Sequence, residues 1–202
     1  AITLSEKSTL THQAVSHGNW GIALLRMGEQ RAAAGEALDD LATRSRHHLG
    51  IALELAEQEF DEMRIADRMA SLGMVAMLDG KLDEAEHLLT ESLRRSVSLD
   101  YVRTAASSAL YLGKLHLHRG DAAKSVEALR QAVAHATRGA AADILPTAQL
   151  LLADALDLGG DAYEAVLLRT TSEKLRSDNA VTRGRAAEDA RQLAAKILES
   201  GD

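Results

Sequence analysis

The chain has 202 residues, of which 46% are hydrophobic and only 2% aromatic, and its formal net charge is −7. That acidic balance argues against nucleic acid as a direct partner, because affinity for phosphates comes from clustered lysine and arginine. The sequence contains no cysteine, which excludes disulfides and thiol chemistry and favours a reducing, cytoplasmic location. No run of apolar residues reaches the length that a membrane span needs.

The first predicted element is a helix pair within residues 12–48. Its first helix runs to a turn glycine, Gly28, and an apolar pattern with a small residue, Ala33, marks the second helix. Trp20 is expected to pack in the core of this pair. Residues 49–60 keep a helical pattern but do not fit the spacing of the later pairs, so they are interpreted as an inserted turn or an extra helix.

The next predicted turn, at Gly80, is the clearest in the chain. Leucine and alanine recur at three- and four-residue spacing on both sides of it, which predicts two helices with one apolar stripe each. Gly80 suits the end of a helix because glycine adopts positive φ without a Cβ penalty. Gly73 and Ala85 lie on either side of the turn, and their small side chains predict that the two helices approach closely there.

This turn recurs at Gly120 and Gly160 with a fixed period of 40 residues, which is typical of a repeat array. Gly28 precedes Gly80 by 52 residues, which predicts a 12-residue insertion after the first repeat. Because each unit of an array contacts its neighbours, residues 1–202 are predicted to form one domain. The predicted repeats span roughly residues 12–48, 61–98, 100–138 and 141–176, with helices near 61–79, 81–97, 100–119, 121–138, 141–159 and 161–176.

The ends of the predicted helices carry signals of their own. Asp100, Asp121 and Asp161 stand at helix starts, where a short carboxylate can accept hydrogen bonds from free backbone N–H groups. Residues 180–199 carry one apolar stripe and are predicted to form a C-terminal capping helix, because a solenoid would otherwise expose the face of its last repeat. The stripe could instead join two copies of the chain, so a monomer and a homodimer both remain open.

The sequence offers no recognisable catalytic, metal or cofactor site. Glu84 and His87 have the spacing of half a di-iron site, but the second half is not found. His116 and His118, two residues apart on a predicted helix, point in different directions and make a poor metal site. The sequence also lacks a phosphate-binding glycine loop and a nucleophile elbow. The chain is therefore predicted to be non-enzymatic, with no cofactor and no metal.

The repeat resembles the tetratricopeptide repeat (TPR). It has the leucine-glycine pair Leu72-Gly73, a glycine seven residues later at Gly80, and an alanine five residues beyond that at Ala85. The resemblance covers roughly residues 12–175 and implies an all-α fold, a right-handed superhelical array of antiparallel helix pairs. The period of 40 exceeds the usual 34, and long repeats of this kind resemble the superhelical domains of large bacterial transcription activators of the LuxR-like and maltose-regulator types.

The resemblance also implies a concave groove lined by the first helix of each pair. The groove residues that it selects are Ile22, Leu25, Arg26, Asp67, Ala70, Met74, Met77, Ser107, Leu110, Lys114, Leu117, His118, Thr147, Leu150, Asp154 and Asp157. This surface is half apolar and half charged, and it lacks the Lys, Asn and Arg cluster with which family members grip the carboxylate tails of chaperones. The two methionines are adaptable side chains that suit an apolar helix or peptide, although both could be plain core residues.

Two functions fit these observations, and a plain structural spacer is a third. The leading prediction is a scaffold for protein binding, whose groove holds a peptide, a helix or a neighbouring domain of a longer parent protein. The alternative is the effector-sensing domain of a bacterial transcription regulator, which would bind a small molecule in the same groove. The chain begins with Ala1 instead of methionine, which is consistent with a domain excised from a longer protein.

Overall fold

In the computed structural model, which describes residues 4–178, the chain is an α-α solenoid, as predicted. Each helix from α1 to α7 packs against the next, and the first helix of each pair packs against the first helix of the following pair. The pairs therefore stack in one continuous row. The predicted capping helix at 180–199 lies outside the described residues. The helices are α1 (Leu4–Ala34), α2 (Leu41–Gln58), α3 (Glu62–Leu78), α4 (Leu82–Ser98), α5 (Val102–His118), α6 (Ala122–Arg138), α7 (Leu145–Gly159) and α8 (residues 162–178).

The 40-residue period is visible in the backbone of the turns within each pair. Gly80, Gly120 and Gly160 follow α3, α5 and α7 with φ of 72°, 76° and 90°. This left-handed conformation is free of strain only for glycine, and it lets the last carbonyl groups of the helix find hydrogen-bond donors. The turns predicted at these three glycines are confirmed.

A second series of turns, between the pairs, has the same period but no glycine. Phe60, Asp100 and Ala140 adopt φ of 55°, 54° and 48°. The prediction that Asp100 caps a helix is wrong, because α5 starts after Tyr101 and the Asp100 carboxylate instead accepts a hydrogen bond from Arg138 at 2.6 Å. The predicted helices end close to these turns, but the positive φ was not predicted, because residues other than glycine rarely adopt it.

The first helix pair differs from its prediction. The helix α1 runs without interruption to Ala34, so the turn predicted at Gly28 is wrong, and the chain turns at Gly35 with φ of 70°. Residues 49–60 are not an insertion, since most of them form the second half of α2. Trp20 is 55% exposed instead of buried, and its ring lies edge-on against a histidine of α2.

The close contact inside each pair shows where the 12 extra residues lie. A glycine of each first helix faces a leucine of the second helix with no room for a side chain. If the glycine carried a methyl carbon, that carbon would lie 2.6 Å from Leu49 Cγ at Gly21, 2.7 Å from Leu89 Cγ at Gly73, and 2.3 Å from Leu129 Cγ at Gly113. The three leucines are 40 residues apart, so α2 keeps the register of the later helices. Gly35 follows Gly21 by 14 residues, whereas Gly80 follows Gly73 by seven. The insertion therefore lengthens α1 by seven residues, about two turns, and the remaining five residues lengthen the following loop.

Small residues of the second helices accept these close approaches. Ser45 Oγ donates to the Gly21 carbonyl at 2.8 Å, and Ser125 Oγ donates to the Gly113 carbonyl at 2.9 Å. Ala85 occupies the same place in the second pair, 40 residues from either serine. Each buried hydroxyl thus has a partner, which removes the cost of burying it. The small residue of the first pair is Ser45, and not Ala33 as predicted.

Protonation of three histidines, one buried and two half-buried, is expected to destabilise the fold. Burial lowers the pKa of His48, His116 and His135 below the ordinary value of about 6.5. Near and below pH 6.5 the folded chain therefore binds fewer protons than the unfolded chain. The contribution of these histidines to stability is greatest above about pH 6.5 and decreases as the pH falls below that value. We expect a lower melting temperature at pH 5.5 than at pH 7.5, measured by circular dichroism.

A matched variant tests the cause of this pH dependence. His48→Gln combined with His116→Gln removes two of the three groups and should reduce the difference between the two melting temperatures. Glu91 does not contribute to a difference over this interval, because the arginines at 94 and 95 lower its pKa to about 2, far below pH 5.5. Equal melting temperatures of the unmodified chain at both pH values would contradict the prediction.

Candidate functional site

The first helices of the pairs line one side of the solenoid, and two open cavities lie along it. We call this side the groove. The first cavity has a volume of about 470 Å³ and is bounded mainly by Ala32, Ala33, Met74, Met77 and Leu78; we call it the apolar bay. The second has a volume of about 620 Å³, extends to the start of α7, and contains the groove's arginines and aspartates; we call it the polar bay.

A contact between α1 and α5 separates the two bays. Glu29 and Tyr111 line both of them, and the Tyr111 hydroxyl donates a hydrogen bond to Glu29 Oε1 across 82 positions of sequence. Burial, and then the negative charge of Glu29, raise the pKa of Tyr111 well above its usual range, so the hydroxyl stays protonated and remains a donor. We call this contact the crossbar.

The crossbar exists because α1 extends about two turns farther beyond its close contact with α2 than the later first helices extend beyond theirs. Gly28 occupies the place of the turn glycine in the later pairs, and the residues that follow it, up to Ala34, continue the helix. These additional turns contribute Glu29, Ala32 and Ala33 to the bays. None of the three was predicted as a groove residue, because the helix was predicted to end at Gly28. The three alanines that precede Gly35 were the available signal, since alanine is the strongest helix former.

The carboxylates of the bays all have polar partners. Asp143 receives two hydrogen bonds from the Arg103 guanidinium, at 3.0 and 2.6 Å, and these lower the pKa of Asp143. Asp67 lies 3.4 Å from the Arg68 guanidinium and accepts a hydrogen bond of 3.4 Å from a threonine of α5. Glu29 accepts the hydrogen bond of the crossbar. Each of these three carboxylates therefore already accepts a hydrogen bond.

Several basic side chains of the groove have no carboxylate partner within residues 4–178. Lys114 Nζ lies 5.7 Å from the centre of the Tyr111 ring, a cation–π distance, and forms no ion pair with a described residue. Arg26 lines the polar bay and reaches Asp143 only through longer-range charge. His118 adds an imidazole to the wall of the apolar bay. Lys114 and Arg26 thus leave positive charge available on either side of the crossbar.

The structure distributes the predicted groove residues over several places. Those on the polar bay are Ile22, Leu25, Arg26, Asp67, Met74, Ser107, Leu110 and Thr147, and those on the apolar bay are Met74, Met77, Lys114 and His118. Met74 and Met77 also pack against buried core residues, so each of them is partly core and partly groove.

The remaining predicted groove residues line neither bay. Ala70 is buried, and Leu117 packs against the hydrophobic core that α5, α6 and α7 share. Asp154 and Asp157 both pair with Arg169 of α8. This ion pairing was not predicted, because Arg169 belongs to the second helix of its pair and only the first helices were expected to line the groove.

The described residues hold no group of three or more acidic or histidine side chains that could bind a metal ion. None of the helices within residues 4–178 is both long enough and apolar enough to span a membrane.

Solved structures match this fold, although comparison of the sequence with family models and with curated proteins finds no match. BtubC (BKLC) from P. vanneervenii aligns with a TM-score of 0.60 and 16% identity, over 85% of this chain and 92% of that one. Two structures of a putative kinesin light chain from Podosopora anserina, described as having nearly identical TPR-like repeats, align with a TM-score of 0.58 and 17% identity. They cover 88% of this chain and 91% and 90% of theirs. The chain therefore has a TPR-like fold.

Proposed function

We propose that the chain is a protein-interaction module whose groove holds a peptide, a helix or a neighbouring domain. The observation that carries this proposal is the pair of bays, which lie side by side along the first helices and share a wall. A chain segment that runs along the groove can place successive side chains in the two bays, which is how grooves of helical proteins read peptides. The TPR-like fold supports a scaffold role in general.

The apolar bay suits an anchoring side chain. Its apolar lining includes Met74, Met77 and Leu78, and the flexible thioethers of methionine can adjust to apolar groups of different shapes. One large apolar side chain in a desolvated pocket commonly supplies much of the affinity of an interface. Binding is therefore expected to depend on this bay more than on the rest of the groove.

A substitution that fills the groove tests the proposal. Ala33 is exposed and lines both bays, so Ala33→Trp should obstruct them while leaving the core unchanged. The probe is a random peptide library displayed on phage and selected on the unmodified chain, followed by fluorescence anisotropy of the enriched peptides. We expect affinity for Ala33→Trp to be lower by about tenfold or more, equivalent to about 1.4 kcal/mol.

Ala23→Trp is the matched control, because Ala23 is an exposed alanine of the same helix that lines neither bay. Its affinity for the peptides should equal that of the unmodified chain. Enriched peptides that bind Ala33→Trp and the unmodified chain equally would place binding outside the groove. A selection that enriches no peptide would also count against the proposal.

A second candidate function is the sensing of a small effector, as in the transcription activators that the repeat resembles. The polar bay favours it, because its volume of about 620 Å³ lies within the range of small-molecule sites, roughly 300–1,000 Å³. Arg26, Arg103 and Tyr111 converge there and could orient a polar ligand. Native mass spectrometry before and after denaturation distinguishes the candidates: loss of a small bound mass supports the sensor, and protein mass alone supports the module.

A further inference from the structure

We propose that His17 of α1 and His48 of α2 form a binding site for a divalent transition-metal ion, and that Cu²⁺ is the ion that fits it best. The two imidazole Nδ1 atoms lie 2.9 Å apart, although the residues are 31 positions apart in the sequence. Neither residue lines either bay, so the site is separate from the groove and does not depend on the proposed function. The pair was not predicted, because spacing along one helix cannot indicate which histidines meet across two helices.

The backbones of α1 and α2 hold the two histidines in place. His17 lies one turn before Gly21, and His48 directly precedes Leu49, and these two neighbours form the close contact of the pair. Ser45, one turn before His48, donates a hydrogen bond of 2.8 Å to the Gly21 carbonyl. An ion therefore meets ligands that the fold has already brought together, which lowers the entropic cost of binding.

The first helix pair differs from the later pairs at this place. In each pair the corresponding positions lie four residues before the glycine of the close contact and one residue before its leucine. The side chains there are all apolar in the second and third pairs: Met69 and Leu88, and Ala109 and Ala128. Joining the helices of a pair therefore does not require imidazoles, and the two histidines add a chemistry that packing does not use.

The distance between the two nitrogens favours one kind of ion. A transition-metal ion binds an imidazole nitrogen at about 2.0 Å. Two such nitrogens 2.9 Å apart subtend an angle of about 90° at the ion, as neighbouring ligands do in the tetragonal geometry of Cu²⁺ and Ni²⁺. The tetrahedral geometry of Zn²⁺ would instead separate them by about 3.3 Å. Of these ions Cu²⁺ binds most tightly, and water completes its coordination.

The ion replaces a hydrogen atom that the two neutral rings share. At 2.9 Å one Nδ1 carries the hydrogen and the other accepts it. When an ion binds, that proton moves through water to Nε2 of the same ring, which frees both Nδ1 lone pairs and leaves the charge of the rings unchanged. Each ring then turns about its last torsion, which is soft for imidazole, to direct its lone pair at the ion. Both rings are only half-buried, so an ion can reach them.

The charge around the pair does not prevent cation binding. The positive charge of Arg44 acts on His48. The Arg44 guanidinium, however, lies 3.6 Å from the Asp40 carboxylate, which offsets part of that charge. The remaining repulsion limits the affinity of the site without abolishing it, because the ion gains two bonds to nitrogen.

The test uses the fluorescence of Trp20, the single tryptophan of the chain. Its ring centre lies 6.1 Å from that of His48, and Cu²⁺ quenches the fluorescence of an indole close to it. Titration of the full chain with copper(II) chloride at about pH 7.5, where an unperturbed imidazole is mostly neutral, should quench Trp20 to a plateau at one ion per chain. Mg²⁺, which prefers oxygen ligands, should not quench it.

Variants of the chain locate the ligands. His17→Gln and His48→Gln each leave one imidazole, so each should weaken Cu²⁺ binding by about tenfold or more. His87→Gln is the matched control, because it removes an exposed histidine of α4 and should leave the affinity unchanged. Cu²⁺ should also raise the melting temperature of the unmodified chain more than that of either ligand variant, since the unfolded chain does not hold the two histidines together.

The outcomes decide the proposal without reference to the groove. Quenching without a plateau, or equal affinity of the unmodified chain and His17→Gln, would overturn it. Equal losses of affinity in His87→Gln and His48→Gln would also overturn it, because binding would then depend on the number of histidines and not on the pair. Circular dichroism checks that each variant remains helical. None of these results bears on the interaction module, because peptide binding is measured without added metal.

Discussion

Replacing Leu129 with alanine is expected to lower the free energy of unfolding by about 2–5 kcal/mol. Leu129 is fully buried, belongs to the core that α5, α6 and α7 share, and packs directly over Gly113. Its truncation removes apolar surface from the core and leaves a cavity that the rigid helix backbones on both sides cannot close. Urea denaturation followed by circular dichroism measures the loss, and an unchanged m value would show that the same surface unfolds.

Leu158→Ala is the control for this experiment, because it makes the same chemical change at a leucine that is 56% exposed. Its effect should stay within about 0.5 kcal/mol. Similar losses at Leu129 and Leu158 would contradict the role assigned to the close contact between α5 and α6.

Gly113→Leu is expected to destabilise the chain by about 1–3 kcal/mol or more. A methyl carbon on Gly113 would lie 2.3 Å from Leu129 Cγ, well inside van der Waals distance, so the two helices would have to separate or Leu129 would have to move. The same urea titration measures the effect. Gly50→Ala is the matched control, since a methyl group there meets no atom within 4 Å. In the interior of α2 it should stabilise the chain by about 0.5–1 kcal/mol.

The two substitutions should also interact. In the double variant Gly113→Leu with Leu129→Ala, the new leucine can occupy the space that the old one leaves, so the combined loss should be smaller than the sum of the single losses. Residues in direct contact typically show coupling energies of about 0.5–3 kcal/mol in such cycles. Strict additivity would mean that Gly113 and Leu129 do not form the contact that holds this pair together.

The sequence was sufficient to predict the turns within the later helix pairs, because a glycine marks each of these turns. Gly80, Gly120 and Gly160 recur at equal intervals and adopt the conformation that makes glycine necessary. The turn predicted for the first pair was wrong for the converse reason. Gly28 has the right neighbours for a turn, yet it lies inside α1, where it is buried and its backbone faces Leu78. Glycine in a helix costs only about 1 kcal/mol relative to alanine, which tertiary packing can offset.

The residues of the groove likewise divide into those that the sequence predicted and those that it did not. Transferring the helical faces of the family identified Arg26, Met74 and Lys114, which the structure places on the bays. Glu29 and Tyr111 were missed, because their contact depends on the extra length of α1 and joins residues 82 positions apart. Local pattern indicates which way a residue faces on its own helix. It does not indicate what reaches that residue from the far side of a groove.

That contact between Glu29 and Tyr111 has a mechanical consequence. In a simple repeat array each unit touches only the units beside it, so the ends can unravel without disturbing the middle. Here the backbones of α1 and α5 do not pack together, yet their side chains bond across the intervening pair. Loosening the first pair therefore breaks a hydrogen bond of the third. The N-terminal half of the array is expected to resist stretching and to unfold as a larger cooperative unit than its repeats alone would suggest.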